Sequence, residues 1–221
     1  MNLTQELQNL LNHVASQVPA ETLSTIGQST QQVADLKIDQ KALKVGERVS
    51  NFSLPGATGQ LVELQQLLAK GPVVIAFYRG EWCPFCNLEL RALQNASPEI
   101  KALGASLVAI SPQTPDNSLS TSEKHSLTFE VLSDVGNKVA KQFGLVYTVG
   151  EVMRAVMASF GTDLSASNGD DSFELPLPAT YVIDTDGAVT FRFIDADFTK
   201  RLDPAEIITA LSNLQTNAVA Y

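Results

Sequence analysis

Two cysteines that lie three residues apart are the side chains of this chain best suited to chemistry. Cys83 and Cys86 are the only cysteines among 221 residues. The apolar segment 72–78 before them is typical of a buried strand, and the segment 87–93 after them has helical spacing. The pair therefore falls at a helix N-terminus, where backbone N–H groups and the helix dipole stabilise a thiolate. Two sulfurs one helical turn apart can also close into a disulfide, so the motif indicates thiol redox chemistry.

Other uses of the pair fit the sequence less well. A structural disulfide across so short a loop removes little chain entropy. Zinc usually takes four ligands, and the two histidines, His13 and His125, lie far away in the sequence. Two buried, inert cysteines are the remaining alternative. We therefore expect a redox-active pair, with no metal and no other cofactor.

The composition is that of a globular protein. Hydrophobic residues make up 44% and charged residues 18%, and the formal net charge is −9 without a basic run. Nucleic acids and anionic membranes are therefore disfavoured as partners. No apolar stretch approaches the roughly 20 residues that span a bilayer, and the N-terminus lacks the pattern of a signal peptide. Two cysteines in so long a chain argue against an oxidised, secreted protein, and we expect a cytoplasmic one.

The first part of the chain is predicted to be a helical extension, residues 1–44. Residues 3–18 carry Leu and Val at helical spacing after Asn2, a plausible N-cap. Residues 20–41 form a weaker second helical stretch. The apolar face is too wide to leave in water. We expect it to pack on a partner subunit in a homodimer, and packing on its own domain is the alternative.

Residues 45–221 alternate between strand and helix patterns, which predicts one α/β domain with a central mixed sheet flanked by helices. Strands are predicted at 51–55, 59–64, 72–78, 104–111, 129–132, 180–184 and 189–193. Helices are predicted at 65–69, 87–93, 117–125, 137–143, 151–160 and from Pro204 onward. Asp186-Gly187 between the last two strands is typical of a hairpin turn. The polar segment 161–172 is predicted to be a loop.

A series of short motifs follows the same order along residues 45–214. They are Phe52-Ser53-Leu54, the segment 77–90, Ala109-Ile110-Ser111, Leu132-Ser133-Asp134, Phe143-Gly144 and the segment 179–187. As an ordered series they resemble a peroxiredoxin of the AhpC/TSA type, and Trp82-Cys83-Pro84-Phe85-Cys86 also resembles the thioredoxin redox motif. The resemblance implies a thioredoxin-like fold with a cis-proline at Pro178. It also implies an enzyme that reduces hydrogen peroxide or alkyl hydroperoxides and is re-reduced by thioredoxin or a similar dithiol.

The resemblance is incomplete around the cysteines. In the family register Cys86 takes the peroxidatic position, and Cys83 stands where a threonine is usual. The arginine usually found before the late strand is replaced by Leu177-Pro178, so Arg79 or Arg154 would have to substitute for it.

The resemblance also implies roles for neighbours of the pair. Gly80, Trp82, Pro84 and Pro178 join Arg79 as residues expected to bind the peroxide or stabilise the thiolate. Trp82 is interpreted as a surface cap over the disulfide that offers a docking face. Glu81 and Glu89 are interpreted as solvated helix charges.

The order in which the two sulfurs react is open. The family register makes Cys86 peroxidatic and Cys83 resolving, whereas the order in thioredoxins makes Cys83 the nucleophile. We favour an arrangement in which Cys86 meets the peroxide and Cys83 takes the exchange with the reductant. Two other functions also stay open. One is a thioredoxin-like disulfide reductase, and the other is a non-enzymatic, redox-regulated binding or chaperone module.

Overall fold

The structure, a computed structural model, describes residues 2–219. Three helices come first: α1 (Leu3–Gln17), α2 (Ala20–Asp35) and α3 (Ile38–Lys41). They are followed by β1 (Ser53–Pro55), β2 (Leu61–Glu63), α4 (Leu64–Leu68), β3 (Val73–Phe77), α5 (Pro84–Ala102), β4 (Ser106–Ser111), α6 (Pro115–Lys124) and β5 (Glu130–Ser133). The last elements are α7 (Lys138–Gln142), β6 (Val146–Thr148), α8 (Glu151–Ser159), α9 (Leu164–Asn168), β7 (Glu174–Pro176), β8 (Ala179–Ile183), β9 (Val189–Ile194) and α10 (Pro204–Val219).

Five strands form a central sheet in the order β5-β4-β3-β8-β9. β3 pairs in parallel with β4 and antiparallel with β8. All five residues of β3 are buried, as expected for a central strand with both faces covered. The predicted α/β class with a mixed sheet is therefore confirmed, and so is the hairpin at Asp186-Gly187, which joins the antiparallel strands β8 and β9.

Alternate side chains of the central strand enter two separate core layers. Val74 and Ala76 lie in the layer that α5 and α10 cover, whereas Val73, Ile75 and Phe77 lie in the opposite layer. This alternation is the period of two of a β-strand. The loop after β3 therefore starts from a fixed position, and it carries the cysteines.

Three short elements were not predicted from the sequence: β6, β7 and α9. β6 and β7 pair antiparallel with each other across about thirty residues of chain, with Val146 opposite Pro176. Their extended conformation thus depends on a long-range contact that local pattern does not show. α9 lies inside the predicted loop 161–172, and Asp163 caps it by accepting from the Ala166 N–H at 3.0 Å.

The N-terminal extension packs on its own domain. Asn2 caps α1 as predicted, accepting from the Gln5 N–H at 3.0 Å. Leu3 and Leu7 are buried in the same core layer as α5, and α2 packs along α8. The expectation that a partner subunit covers this face is wrong for these residues, because the face fills the groove beside α5. Among the described residues no helix is long and apolar enough to cross a membrane.

Leu7 and Leu11 on α1 provide a matched test of this packing. Leu7 is 6% exposed and Leu11 is 38% exposed. Leu7→Ala should lower the free energy of unfolding by about 2–4 kcal/mol, since it leaves a cavity in the core. Leu11→Ala should cost less than about 1 kcal/mol. Equal losses in urea denaturation would show that α1 is not part of the folded core.

Candidate active site

The cysteine pair lies where the chain leaves β3 and enters α5, as predicted. Cys83 is the N-cap of α5 with extended backbone angles, and Pro84 occupies the first turn. Its carbonyl accepts from the Asn87 N–H at 3.1 Å, which starts the helix. Both cysteines are free and buried. Cys86 lies within the first turn of α5, where the helix dipole favours a thiolate.

The loop before the pair is held in one conformation. Gly80 has φ +152°, and a Cβ there would lie 2.4 Å from Nε1 of Trp82. Because only glycine adopts this backbone without a clash, the loop can fold back under the indole ring. Gln113 accepts from the Glu81 N–H at 2.8 Å, and Asn87 donates to the Glu81 carbonyl at 2.8 Å. These bonds fix the approach to Cys83.

Arg201 is the functional residue that the sequence analysis missed. Its Nη2 donates to Cys86 Sγ at 3.1 Å, and its Nε donates to Glu89 Oε2 at 2.6 Å. The remaining nitrogen, Nη1, donates to the carbonyls of Phe198 and Lys200. The residue lies in the loop between β9 and α10, outside every motif, so only the fold of the late hairpin brings it to the cysteines.

The interpretation of Glu89 as a solvated helix charge is wrong, because its side chain is buried. Its side chain is 3% exposed and that of its partner Arg201 is 1% exposed. Burial raises the pKa of Glu89 to about 7, and the charge of Arg201 opposes that shift. Glu81, by contrast, pairs with Lys124 near the surface at 2.5 Å. Glu89 therefore serves as the buried counter-charge of the arginine at the pair.

Arg79 is also buried beside the pair. Its guanidinium lies 4.9 Å from the centre of the Trp82 ring and 4.4 Å from that of Phe198. Its Nε has no hydrogen-bond partner, and among the described residues no carboxylate forms an ion pair with it. Its charge lowers the pKa of Cys83, and the residue lines the cavity in front of that sulfur.

Arg154 does not reach the cysteines. Its guanidinium stacks on Phe173 at 4.0 Å and contacts Glu151 at 3.5 Å. These residues line a separate cavity in which neither cysteine takes part. The idea that Arg154 could replace the missing arginine is therefore wrong.

The two thiols are coupled electrostatically. A hydrogen bond from the Cys86 thiol, followed by the charges of Arg79 and Arg201, lowers the pKa of Cys83 to about 5 although burial opposes ionisation. Burial, with the Cys83 sulfur adding to it, raises the pKa of Cys86, and Arg201 acts against that shift. Of the two thiols, Cys83 is therefore the one that ionises more readily.

One cavity of about 260 Å³ reaches the pair, and Cys83 forms part of its wall while Cys86 does not. Trp82, Pro84 and Phe85 line it together with Arg79. Trp82 is thus half-buried in the wall, while Pro84 is exposed. A reagent that enters this cavity meets Cys83 first. In the part of the chain that the structure describes, no group of three or more His, Cys, Asp or Glu is placed to hold a metal.

Pro178 lies immediately before β8, whose first residue Ala179 pairs with Phe77 at the end of β3. It is buried near the C-terminal end of β3, where the loop that carries the cysteines begins. The described residues contain no cis peptide bond, so the Leu177–Pro178 bond is trans. The cis-proline that the resemblance implies is therefore wrong, and Pro178 does not line the cavity at Cys83.

This arrangement defines a class of site. A buried dithiol, placed between a helix N-terminus and two arginines, is suited to exchange electrons through sulfur. It lies at the edge of a mixed sheet that helices cover on both faces. The site is therefore suited to thiol redox chemistry, and the fold that carries it is of the α/β class.

Known proteins identify the family. Residues 45–192 match the AhpC/TSA family, and the chain belongs to this family. It is 30% identical over 144 residues to chloroplastic peroxiredoxin Q of Populus jackii. The alignment covers 65% of this chain and 57% of the other. The chain thus spans less than two thirds of the length of such chloroplastic relatives.

Solved structures agree on the fold. The crystal structure of peroxidoxin BcpB from Mycobacterium tuberculosis superposes with a TM-score of 0.61 at 27% identity, covering 79% of this chain and 97% of that one. The reduced 2-Cys peroxiredoxin of Plasmodium vivax, at 19% identity, gives a TM-score of 0.63 over 80% and 84% of the two chains. The latter shows the fold alone. The predicted thioredoxin-like fold is confirmed.

Removing Arg201 should leave the buried carboxylate of Glu89 without a partner. Arg201→Met should lower the free energy of unfolding at pH 8 by about 3–5 kcal/mol, as expected when one member of a buried pair is lost. The double variant Arg201→Met/Glu89→Gln should recover part of that loss, because no charge then remains unpaired. Arg48, which pairs with Asp186 at the surface, provides the control, and Arg48→Met should cost less than about 1 kcal/mol. Similar losses for Arg201→Met and Arg48→Met would contradict the role of the ion pair.

The low pKa of Cys83 predicts a pH dependence. Only the thiolate reacts with iodoacetamide, so the alkylation rate of Cys83 in the reduced protein should rise with pH through a midpoint near 5. Peptide mass spectrometry locates the alkylated sulfur. In Cys83→Ala the remaining Cys86 should react slowly, since burial raises its pKa. A midpoint for Cys83 near the ordinary value of about 8.5 would show that the arginines and Cys86 do not stabilise its thiolate.

Proposed function

We propose that the protein is a thiol-dependent peroxidase that reduces hydrogen peroxide or alkyl hydroperoxides through Cys83 and Cys86. The observation that carries this proposal is the pKa of Cys83, lowered to about 5, in a thiol that lines the cavity beside a guanidinium without a carboxylate partner. Such a thiolate is nucleophilic at neutral pH. Membership of the AhpC/TSA family supports the same reaction.

The reaction balances within the pair. The Cys83 thiolate attacks the O–O bond of the peroxide, so an S–O bond forms and the O–O bond breaks. Cys83 becomes a sulfenic acid, and the leaving oxygen takes the proton that Cys86 held and departs as an alcohol or water. The Cys86 thiolate then attacks the Cys83 sulfur, and a disulfide forms as hydroxide leaves. An external dithiol, thioredoxin or a similar donor, reduces this disulfide by exchange.

This order reverses the one that the family register implies. Cys83 borders the cavity and has the lower pKa of the two thiols, whereas Cys86 is fully buried and does not line the cavity. Arg201 contacts Cys86 rather than Cys83, and it stabilises the charge that Cys86 acquires once its proton has gone to the leaving oxygen. We therefore assign the attack on peroxide to Cys83 and the resolving step to Cys86.

Single variants should separate the two roles. Peroxide consumption with dithiothreitol should fall to the background rate in Cys83→Ser, since no attacking thiolate remains. In Cys86→Ser the sulfenic acid has no resolving thiol, so a sulfenic-acid probe should label Cys83 after peroxide treatment. Labelling of Cys86 in Cys83→Ser, with none of Cys83 in Cys86→Ser, would restore the order of the family register. A parent protein that consumes no peroxide would overturn the peroxidase itself.

A disulfide reductase without peroxide chemistry is the second candidate. The extended N-cap position of Cys83 and the exposure of Pro84 favour it, because an exchange partner needs access to the first cysteine of the pair. Insulin reduction that proceeds while hydrogen peroxide and an alkyl hydroperoxide are not consumed would identify this function.

We also propose a homodimer in a reducing compartment such as the cytoplasm. The presence of only two cysteines in 221 residues supports the compartment. The exposed side chains of Leu36, Val152 and Phe160 support self-association, since α2 and α8 leave them in water at 46%, 69% and 56% exposure. The net charge of −9 gives no support for nucleic acid or an anionic membrane as a partner.

A further inference from the structure

We propose that the N-terminal helices α1 and α2 close a binding chamber for the organic body of an uncharged, apolar hydroperoxide. The chamber is the cavity of about 260 Å³ in front of Cys83. This inference rests on the proposed peroxidase function and adds to it the residues that bind the organic part of the substrate. It also makes residues of the extension the determinants of specificity.

Three helices add apolar side chains to the walls of the chamber. Val14 of α1, Val18 at its C-cap and Ile26 of α2 line it, and so do Met153 and Met157 of α8. These side chains are apolar and offer a ligand dispersion contacts without hydrogen bonds. Packing between α2 and α8 holds these walls together. An apolar group of matching size is the chemistry that such walls bind.

Cys83 and Arg79 are the reactive and the charged side chains of the chamber, and the only hydroxyl in its lining is that of Thr162. Arg79 is 4% exposed, and its Nε lacks a hydrogen-bond partner. A hydroperoxyl group placed beside Cys83 can accept from the guanidinium while its O–O bond faces the thiolate. The cation and the thiolate already balance each other in charge. No unpaired charge is therefore left in the chamber to bind a charged group on the rest of the ligand, and a neutral hydrocarbon body fits best.

The chamber limits the size of that body. Its volume lies just below the lower end of about 300 Å³ for ordinary small-ligand pockets. A compact aromatic or branched hydroperoxide, such as cumene hydroperoxide, suits this volume better than a long lipid chain. Hydrogen peroxide is small enough to react without using the walls.

The walls from α1 and α2 are an addition to the family domain. The match to the AhpC/TSA family covers residues 45–192, whereas Val14, Val18 and Ile26 precede it. The catalytic pair thus comes from the shared domain, and part of the substrate chamber comes from the extension. Specificity can then differ from that of relatives while the chemistry stays the same.

Filling the chamber provides the test. In Ile26→Trp the indole should occupy the space for the organic body, so kcat/KM for cumene hydroperoxide should fall about tenfold or more, as expected when a pocket loses room for an apolar group. For hydrogen peroxide the same variant should lower kcat/KM at least about fivefold less than it does for cumene hydroperoxide, since that substrate needs no apolar wall. Both are measured with dithiothreitol as the donor.

Two further variants make the result specific. Gln28→Trp places the same side chain on an exposed position of α2 that lines no cavity described here, and it should leave both rates unchanged. Val18→Phe fills the chamber from α1 and replaces Ile26→Trp if circular dichroism shows that the latter does not fold. A folded filled variant that keeps its cumene hydroperoxide rate would overturn the chamber. Absence of any peroxidase activity in the parent protein would instead overturn the proposed function.

Discussion

The buried contact of Arg201 with Glu89 and Cys86 is the interaction on which the site depends. A guanidinium at 1% exposure is tolerated only because every nitrogen finds an acceptor: a carboxylate, a sulfur and two carbonyls. These bonds tie the loop after β9 to α5 and so join the late hairpin to the cysteine helix. The same contact gives the second sulfur a cation that can stabilise its charge when its proton leaves.

Charge balance explains why two cations can lie in so small a space. Glu89 offsets Arg201, and the Cys83 thiolate offsets Arg79, which has no carboxylate of its own. Oxidation of the pair to a disulfide removes the thiolate and leaves Arg79 without a counter-charge. Burial of an unpaired cation is costly, so the surroundings of Arg79 favour the reduced pair.

The N-terminal helices contribute to stability and to the site at once. α1 places Leu3 and Leu7 in the core layer beside α5, and its far end supplies Val14 and Val18 to the chamber at Cys83. A segment that must be buried for the fold to be stable is thereby held at a fixed distance from the reactive sulfur.

The sequence by itself determined the redox pair, its place at the start of a helix, the α/β class and most strands and helices, because these follow from local spacing of apolar residues and from the Cys-Pro-Phe-Cys motif. The tertiary structure decided what depends on contacts between distant segments: the pairing of β6 with β7, the burial of Glu89, and the position of Arg201, 115 residues after Cys86. It also decided which sulfur borders the cavity. Local pattern carries no information on such contacts, since they are set by how the sheet and the last loop bring remote residues together.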